Sequence, residues 1–164
     1  MPSSADITPG ATINVSSPAQ RLQSLLADFL DKTQATFSLV IDRGGSILCQ
    51  HGNLDESIDC TILAALAAGS FAATKELAAR LGEPEFNTLH HQGKTANILV
   101  NTVDDDAVLM TVFGPETTVG LVKFYSVGTV TCLAELLKEA RSSPDSQVAI
   151  SRQDITGVGN IFPQ

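Results

Sequence analysis

The chain has 164 residues and a mass of 17.2 kDa, enough for one domain with a real core and too little for two. Apolar residues make up 43% and charged residues 17%, which excludes a chain that is disordered throughout. Eighteen acids against ten bases give a formal net charge of −8, so Lys and Arg are too few and scattered for a polyanion surface, which argues against nucleic acid and anionic membrane as partners. No stretch approaches the roughly 20 apolar residues of a membrane helix. Met1 to Asp6 has neither the basic nor the apolar region of a signal peptide. Cys49, Cys60 and Cys132 are odd in number and lie far apart, which favours buried thiols in a reducing compartment. The expectation is a soluble, cytoplasmic chain.

Residues 1 to 16 are rich in Ser, Thr, Pro and Gly without a sustained period and read as a flexible N-terminal tail. Ser17-Pro18 then starts a helix, with Ser as N-cap and Pro at the first helical position. Leu22, Leu25, Leu26, Phe29 and Leu30 follow at helical spacing, and the helix ends near Gln34. Phe37 to Ile41 is a strand, Asp42-Arg43-Gly44-Gly45 a turn, and Ser46 to Gln50 the returning strand of a hairpin. His51 to Ser57 is a polar loop.

A long Ala-rich helix is predicted from about Ile58 to Leu81, capped by Asp55 or Ser57 and stopped by Gly82 and Pro84. At 100° per residue it carries two apolar faces. One holds Ile62, Leu66, Gly69, Ala73, Leu77 and Leu81 and is expected to anchor the helix on a sheet. The other holds Thr61, Ala65, Ala68, Ala72 and Ala79, with Lys75 and Glu76 at its borders. Small residues there would let another backbone come close, so that face is expected to be a protein interface. Three strands follow: Asn87 to Gln92, Thr95 to Val103 and Ala107 to Phe113, the last reading as a central strand covered on both faces. Thr117 to Arg141 has strand-forming residues, but Val119, Val122, Tyr125, Thr129, Leu133 and Leu137 keep a helical period, so a long final helix capped by Thr117 or Thr118 is predicted. Residues 143 to 164 read as a flexible extension, in which Ile150, Ile155, Ile161 and Phe162 suit a docking segment.

No motif for chemistry survives inspection. Gly93-Lys94-Thr95 has the end of a phosphate-binding loop, but Thr88 stands where its first glycine is needed, and the segment joins two strands. His90 and His91 point to opposite faces of a strand and, with His51, make a poor metal set. Asp104-Asp105-Asp106 lacks the spacing of a calcium loop and reads as a solvated turn. No GxSxG elbow or active-site cysteine signature is present. The sequence therefore implies no catalytic residue, no metal and no cofactor.

The order helix, hairpin, long helix, three strands, long helix resembles that of the Roadblock/dynein light chain family. Phe37 to Gly45 is similar to the family's first strand and glycine turn, Ala67 to Thr74 to its second helix, and Thr118 to Lys123 to the start of its last helix. Leu81 to Phe86, His91-Gln92-Gly93 and the ending Ile150 to Phe162 are similar to a bacterial cell-polarity branch of that family, although Gly157-Val158-Gly159 replaces a more acidic stretch. The resemblance implies an α/β (α+β) sandwich: a five-stranded antiparallel sheet with one long helix on one face and the N- and C-terminal helices on the other. It also implies a homodimer whose second helices lie side by side and bind a Ras-like small GTPase of the MglA type, speeding GTP hydrolysis by ordering the GTPase's own residues. On this chain the contact would fall on Thr61, Ala65, Ala68, Ala72 and Lys75, with Ile150, Ile155, Ile161 and Phe162 as a second docking element. The alternative is a dimeric scaffold that recruits a GTPase or motor complex without altering hydrolysis.

Overall fold

A computed structural model describes residues 16–143. The N-terminal tail and the C-terminal extension expected from the sequence lie outside the described residues. Helix α1 (Pro18–Thr33) opens as Ser17 predicts: the Ser17 hydroxyl accepts from the Gln20 amide, and the Gln20 side chain accepts from the Ser17 amide, a reciprocal capping box. Strands β1 (Phe37–Asp42) and β2 (Ile47–Gly52) form the hairpin. Helix α2 (Cys60–Leu81) is followed by β3 (Thr88–Gln92), β4 (Asn97–Asp104) and β5 (Ala107–Phe113), and α3 (Val119–Ser142) closes the described chain.

The five strands form one antiparallel sheet in the order β2-β1-β5-β4-β3. Strands β1 and β5 are central and buried on both faces, as the run from Ala107 to Phe113 predicts. The sheet separates two cores. On one side, Val40, Leu99, Leu109 and Phe113 pack against Leu22, Leu26 and Phe29 of α1 and Val122, Leu133 and Leu137 of α3. On the other, Phe37, Leu39, Ile41, Val108 and Met110 pack under Ala64, Ala67, Ala68 and Phe71 of α2. The predicted sandwich is the observed one, and the helical period from Val119 onwards prevails over strand propensity. Thr118 caps α3 by accepting from the Leu121 amide at 3.2 Å.

Four expectations are corrected. The N-cap of α2 is Asp59, whose Oδ1 accepts from the Thr61 and Ile62 amides at 2.8 and 3.4 Å; Asp55 instead closes the preceding turn onto Ser57. The second concerns which face of α2 meets the sheet. Ile62, Leu66, Leu77 and Leu81 do not anchor it: they are 59 to 70% exposed, and the buried stripe is Ala64, Ala67, Ala68, Phe71, Thr74 and Ala78. Large side chains from β1 and β5 already fill the space above the sheet, so the helix settles with small residues inward around Phe71. Third, only Cys49 is a buried thiol; Cys60 is half-buried and Cys132 exposed. Fourth, α2 and α3 are by length and composition apolar enough to cross a membrane, yet each buries one face on the sheet.

Candidate partner-binding surface

Helix α2 is set on the sheet by one close approach. Asp42 organises the β1–β2 turn: its carboxylate accepts from the Gly44 and Ser46 amides, both at 2.9 Å, and its carbonyl accepts from the Gly45 amide at 3.0 Å. Gly45 has φ +87°, and a Cβ there would lie 2.9 Å from the Ala65 Cα. The turn thus abuts the α2 backbone at Ala65, where both residues must be small.

The five α2 residues expected at a partner contact divide in the structure. Thr61, Ala65 and Ala72 are exposed along one flank of the helix, Lys75 is half-buried at its border, and Ala68 is buried against the sheet. The Lys75 ammonium lies 5.3 Å from the centre of the Phe71 ring, which holds its stem down on the helix. Beneath this flank, a cleft of about 260 Å³ has Ala68, Phe71, Ala72 and Val108 as apolar walls, with Arg43, Lys75 and Asp105 at the rim. Ile150, Ile155, Ile161 and Phe162 lie outside the described residues.

The larger surface is one that sequence reasoning assigned to the interior. Ile62, Leu66, Leu77 and Leu81, with Gly69 and Ala73 between them, form an outward apolar ridge along α2. On the flank opposite Ala72, α2 leaves part of the sheet uncovered. Two apolar clefts of about 350 and 190 Å³ lie there, walled by Leu63 and Leu66 of the helix and by His91, Ile98 and Val100 of β3 and β4. The signal that could have oriented the helix is Phe71: with the helix apolar all round, its one aromatic residue marks the buried side. A second exposed patch, also missed, consists of Leu121, Phe124 and Val127 on α3.

Of the groups considered for chemistry, His90 and Asp104 have structural partners. The His90 Nε2 is 3.3 Å from Asn97 Oδ1, and its ring stacks on Phe113. Among the described residues, no group of three or more His, Cys, Asp and Glu could hold a metal. Asp104 is not simply a solvated turn residue: it accepts from Arg141 at 2.7 Å and from the Asp106 amide at 2.8 Å. Burial pushes its carboxyl up, but the hydrogen bonds and charge of Arg141 and the backbone amides outweigh this and hold it below the usual aspartate range. Burial raises the Cys49 thiol, with a backbone hydrogen bond at Gln50 acting against it.

Comparison with known proteins gives the same architecture. The Roadblock/LC7 domain model matches residues 21–113. Among solved structures, an MglB with a tetrameric arrangement is 32% identical, covering 76% of this chain and 93% of that one, with a TM-score of 0.71. The gliding protein MglB from Thermus thermophilus gives the same identity, coverage and TM-score. MglB of Myxococcus xanthus is 26% identical over 73% of this chain and 96% of that one, with a TM-score of 0.68. No curated protein sequence matches. With a family model that spans more than half of the chain, and with similarity to MglB that continues through nearly the whole length of the solved proteins, the chain belongs to the Roadblock/LC7 domain family.

Proposed function

We propose that this protein is a non-catalytic, cytoplasmic regulator of a Ras-like small GTPase of the MglA type in bacterial polarity or motility, acting as a homodimer. The observation that carries the reading is the outward ridge of α2. Four large aliphatic side chains at 59 to 70% exposure, on a helix that already buries its other side, call for partner surfaces. The likeness to MglB proteins, one described with a tetrameric arrangement and one as a gliding protein, supports oligomerisation and a place in that system.

The pairing can be argued from the bare half of the sheet. Strand β3 is a short edge strand with unpaired outer backbone groups, and the apolar clefts beside it end at Leu63 and Leu66. Joining two sheets through β3 would lay the second α2 over those clefts and bury the Leu66, Leu77 and Leu81 side of both ridges. The top of the paired helices, from Ile62 to Ala73, and the flank of Thr61, Ala65, Ala72 and Lys75 then face the GTPase.

The polar groups of this surface are the Thr61 hydroxyl and the Lys75 ammonium, with Arg43 at the cleft rim 3.6 Å from Asp106. The Arg80 guanidinium, at the far end of the helix, is engaged by Glu76 of the same helix at 2.8 Å. Stimulation would therefore come from holding the GTPase's water-positioning and charge-stabilising groups in place, an electrostatic preorganisation. An arginine finger lowers the barrier by roughly 4 to 7 kcal/mol, and reordering alone should contribute less.

The test is single-turnover GTP hydrolysis by the cognate GTPase, titrated with this protein past two protomers per GTPase. Saturating stimulation near that ratio is expected, and Ala72→Arg should abolish it without loss of fold. Ala68→Arg is a poor probe because Ala68 is buried. Tight binding without faster hydrolysis would replace the activator with a scaffold, and no binding would overturn the reading.

A further inference from the structure

The described chain ends beside the β4–β5 turn, which borders the α2-side cleft. In the last turn of α3, Arg141 is bonded to Asp104 at 2.7 Å, which fixes the C-terminal end of α3 against the β4–β5 turn. Asp105 of that turn is a wall of two clefts at once: one of about 390 Å³ under Lys138 and Arg141 on the α3 side, and the 260 Å³ cleft under Ala72 and Lys75 on the α2 side. A chain continuing past Ser143 therefore needs only to round one hairpin turn to move from the first cleft to the second.

We propose that residues 150–155 of the same chain occupy the α2-side cleft, an autoinhibitory contact over Ala72 and Lys75. Three observations point to this occupant. The first is reach: Ile150 lies seven residues beyond Ser143, about 23 Å of extended chain, whereas layers of secondary structure stack about 10 Å apart. The second is polarity, since the walls formed by Ala68, Phe71 and Val108 are apolar and suit an isoleucine. The third is charge. Ile150-Ser151-Arg152-Gln153-Asp154-Ile155 holds one base and one acid between its two apolar ends, and the rim offers both Asp105 and the Arg43 and Lys75 cations. The contact itself does not depend on the proposed function. Its autoinhibitory consequence rests on that reading, because the covered flank is the one given there to the GTPase.

The test uses the full-length chain with Cys60→Ser and Cys132→Ser, carrying Ala72→Cys and Ser151→Cys, under mild oxidation without any GTPase. A disulfide at the mass of one chain is expected, slowed roughly tenfold or more by Ile150→Asp with Ile155→Asp. A control with Arg80→Cys in place of Ala72→Cys should link far more slowly. Absence of a link, equal linking to the control position, or insensitivity to the Asp substitutions would overturn the proposal. So would a link found only between two chains, which would assign the cleft to the segment of another copy. Since no GTPase takes part, failure here is distinct from failure of the regulatory reading.

Discussion

At the residue scale, two contacts hold the surface in place, and each gives a measurable expectation. Gly45 combines a left-handed φ of +87° with the approach to Ala65, so Gly45→Ala strains the turn and pushes α2 outward. It should cost about 1–3 kcal/mol, read as a lowered urea midpoint. Asp104 couples the β4–β5 turn to α3 through Arg141. Its folded-state pKa is lowered, so its contribution to stability is full above the ordinary aspartate value of about 3.9 and is lost as pH falls through the lower folded value. Asp104→Asn should therefore reduce stability at pH 7, and the gap to the parent should narrow at pH 3, as urea titrations at the two pH values would measure. The thiols make a third probe. In the native protein Cys132 should react first with a thiol reagent, while Cys49, buried and raised in pKa, should react only on unfolding, as labelling followed by peptide mass analysis would report.

At the element scale, α2 is the informative object because both its sides are apolar and only one meets the sheet. Ala64 is fully buried over the sheet, so Ala64→Leu should overpack that layer and cost about 1–3 kcal/mol. Leu66 is 65% exposed, so Leu66→Ala should leave the stability of a dilute, unassociated chain within about 0.5 kcal/mol. The opposite ranking, with Leu66 the costly site, would mean that the helix is rotated. Much of this element was readable in the sequence: its length, the Gly82 stop and the Ala-rich composition all hold. Its rotation was not, because apolar periodicity selects a face only when the other face is polar. The cap illustrates the same limit on a smaller scale. Asp55, Ser57 and Asp59 all have side chains suited to capping, but in the folded loop Asp55 and Ser57 bond to each other and Asp59 meets the helix amides.

At the scale of the whole molecule, the asymmetry of the sandwich matters most. Two helices cover one face of the sheet, while one helix lies on the other, its outer ridge apolar and the β3–β4 half of the sheet beside it open in clefts. Under the proposed pairing, Leu66→Asp with Leu77→Asp should convert a dimer to a folded monomer, visible by sedimentation velocity alongside an unchanged circular dichroism spectrum. A dimer that survives both substitutions would place the pairing elsewhere, and the α3 patch of Leu121, Phe124 and Val127 would be the next surface to examine.

The sequence alone determined the local steps: the Ser17-Pro18 helix start, the Asp42–Gly45 turn, the doubly covered strand from Ala107 and the helical period through α3. These are decided within a few residues, by capping hydrogen bonds, permitted φ and the spacing of apolar side chains, and so are written in the chain itself. The likeness of its motifs, in order, to a known family supplied the layer arrangement. What only the tertiary structure decided was which side of α2 faces water, and with it the character of the exposed surface. That choice depends on the volume left above the sheet after Phe37, Leu39, Ile41, Val108 and Met110 are in place. Small residues then win the inner position over larger and more hydrophobic ones, because close packing against a filled surface favours the helix that can come nearest.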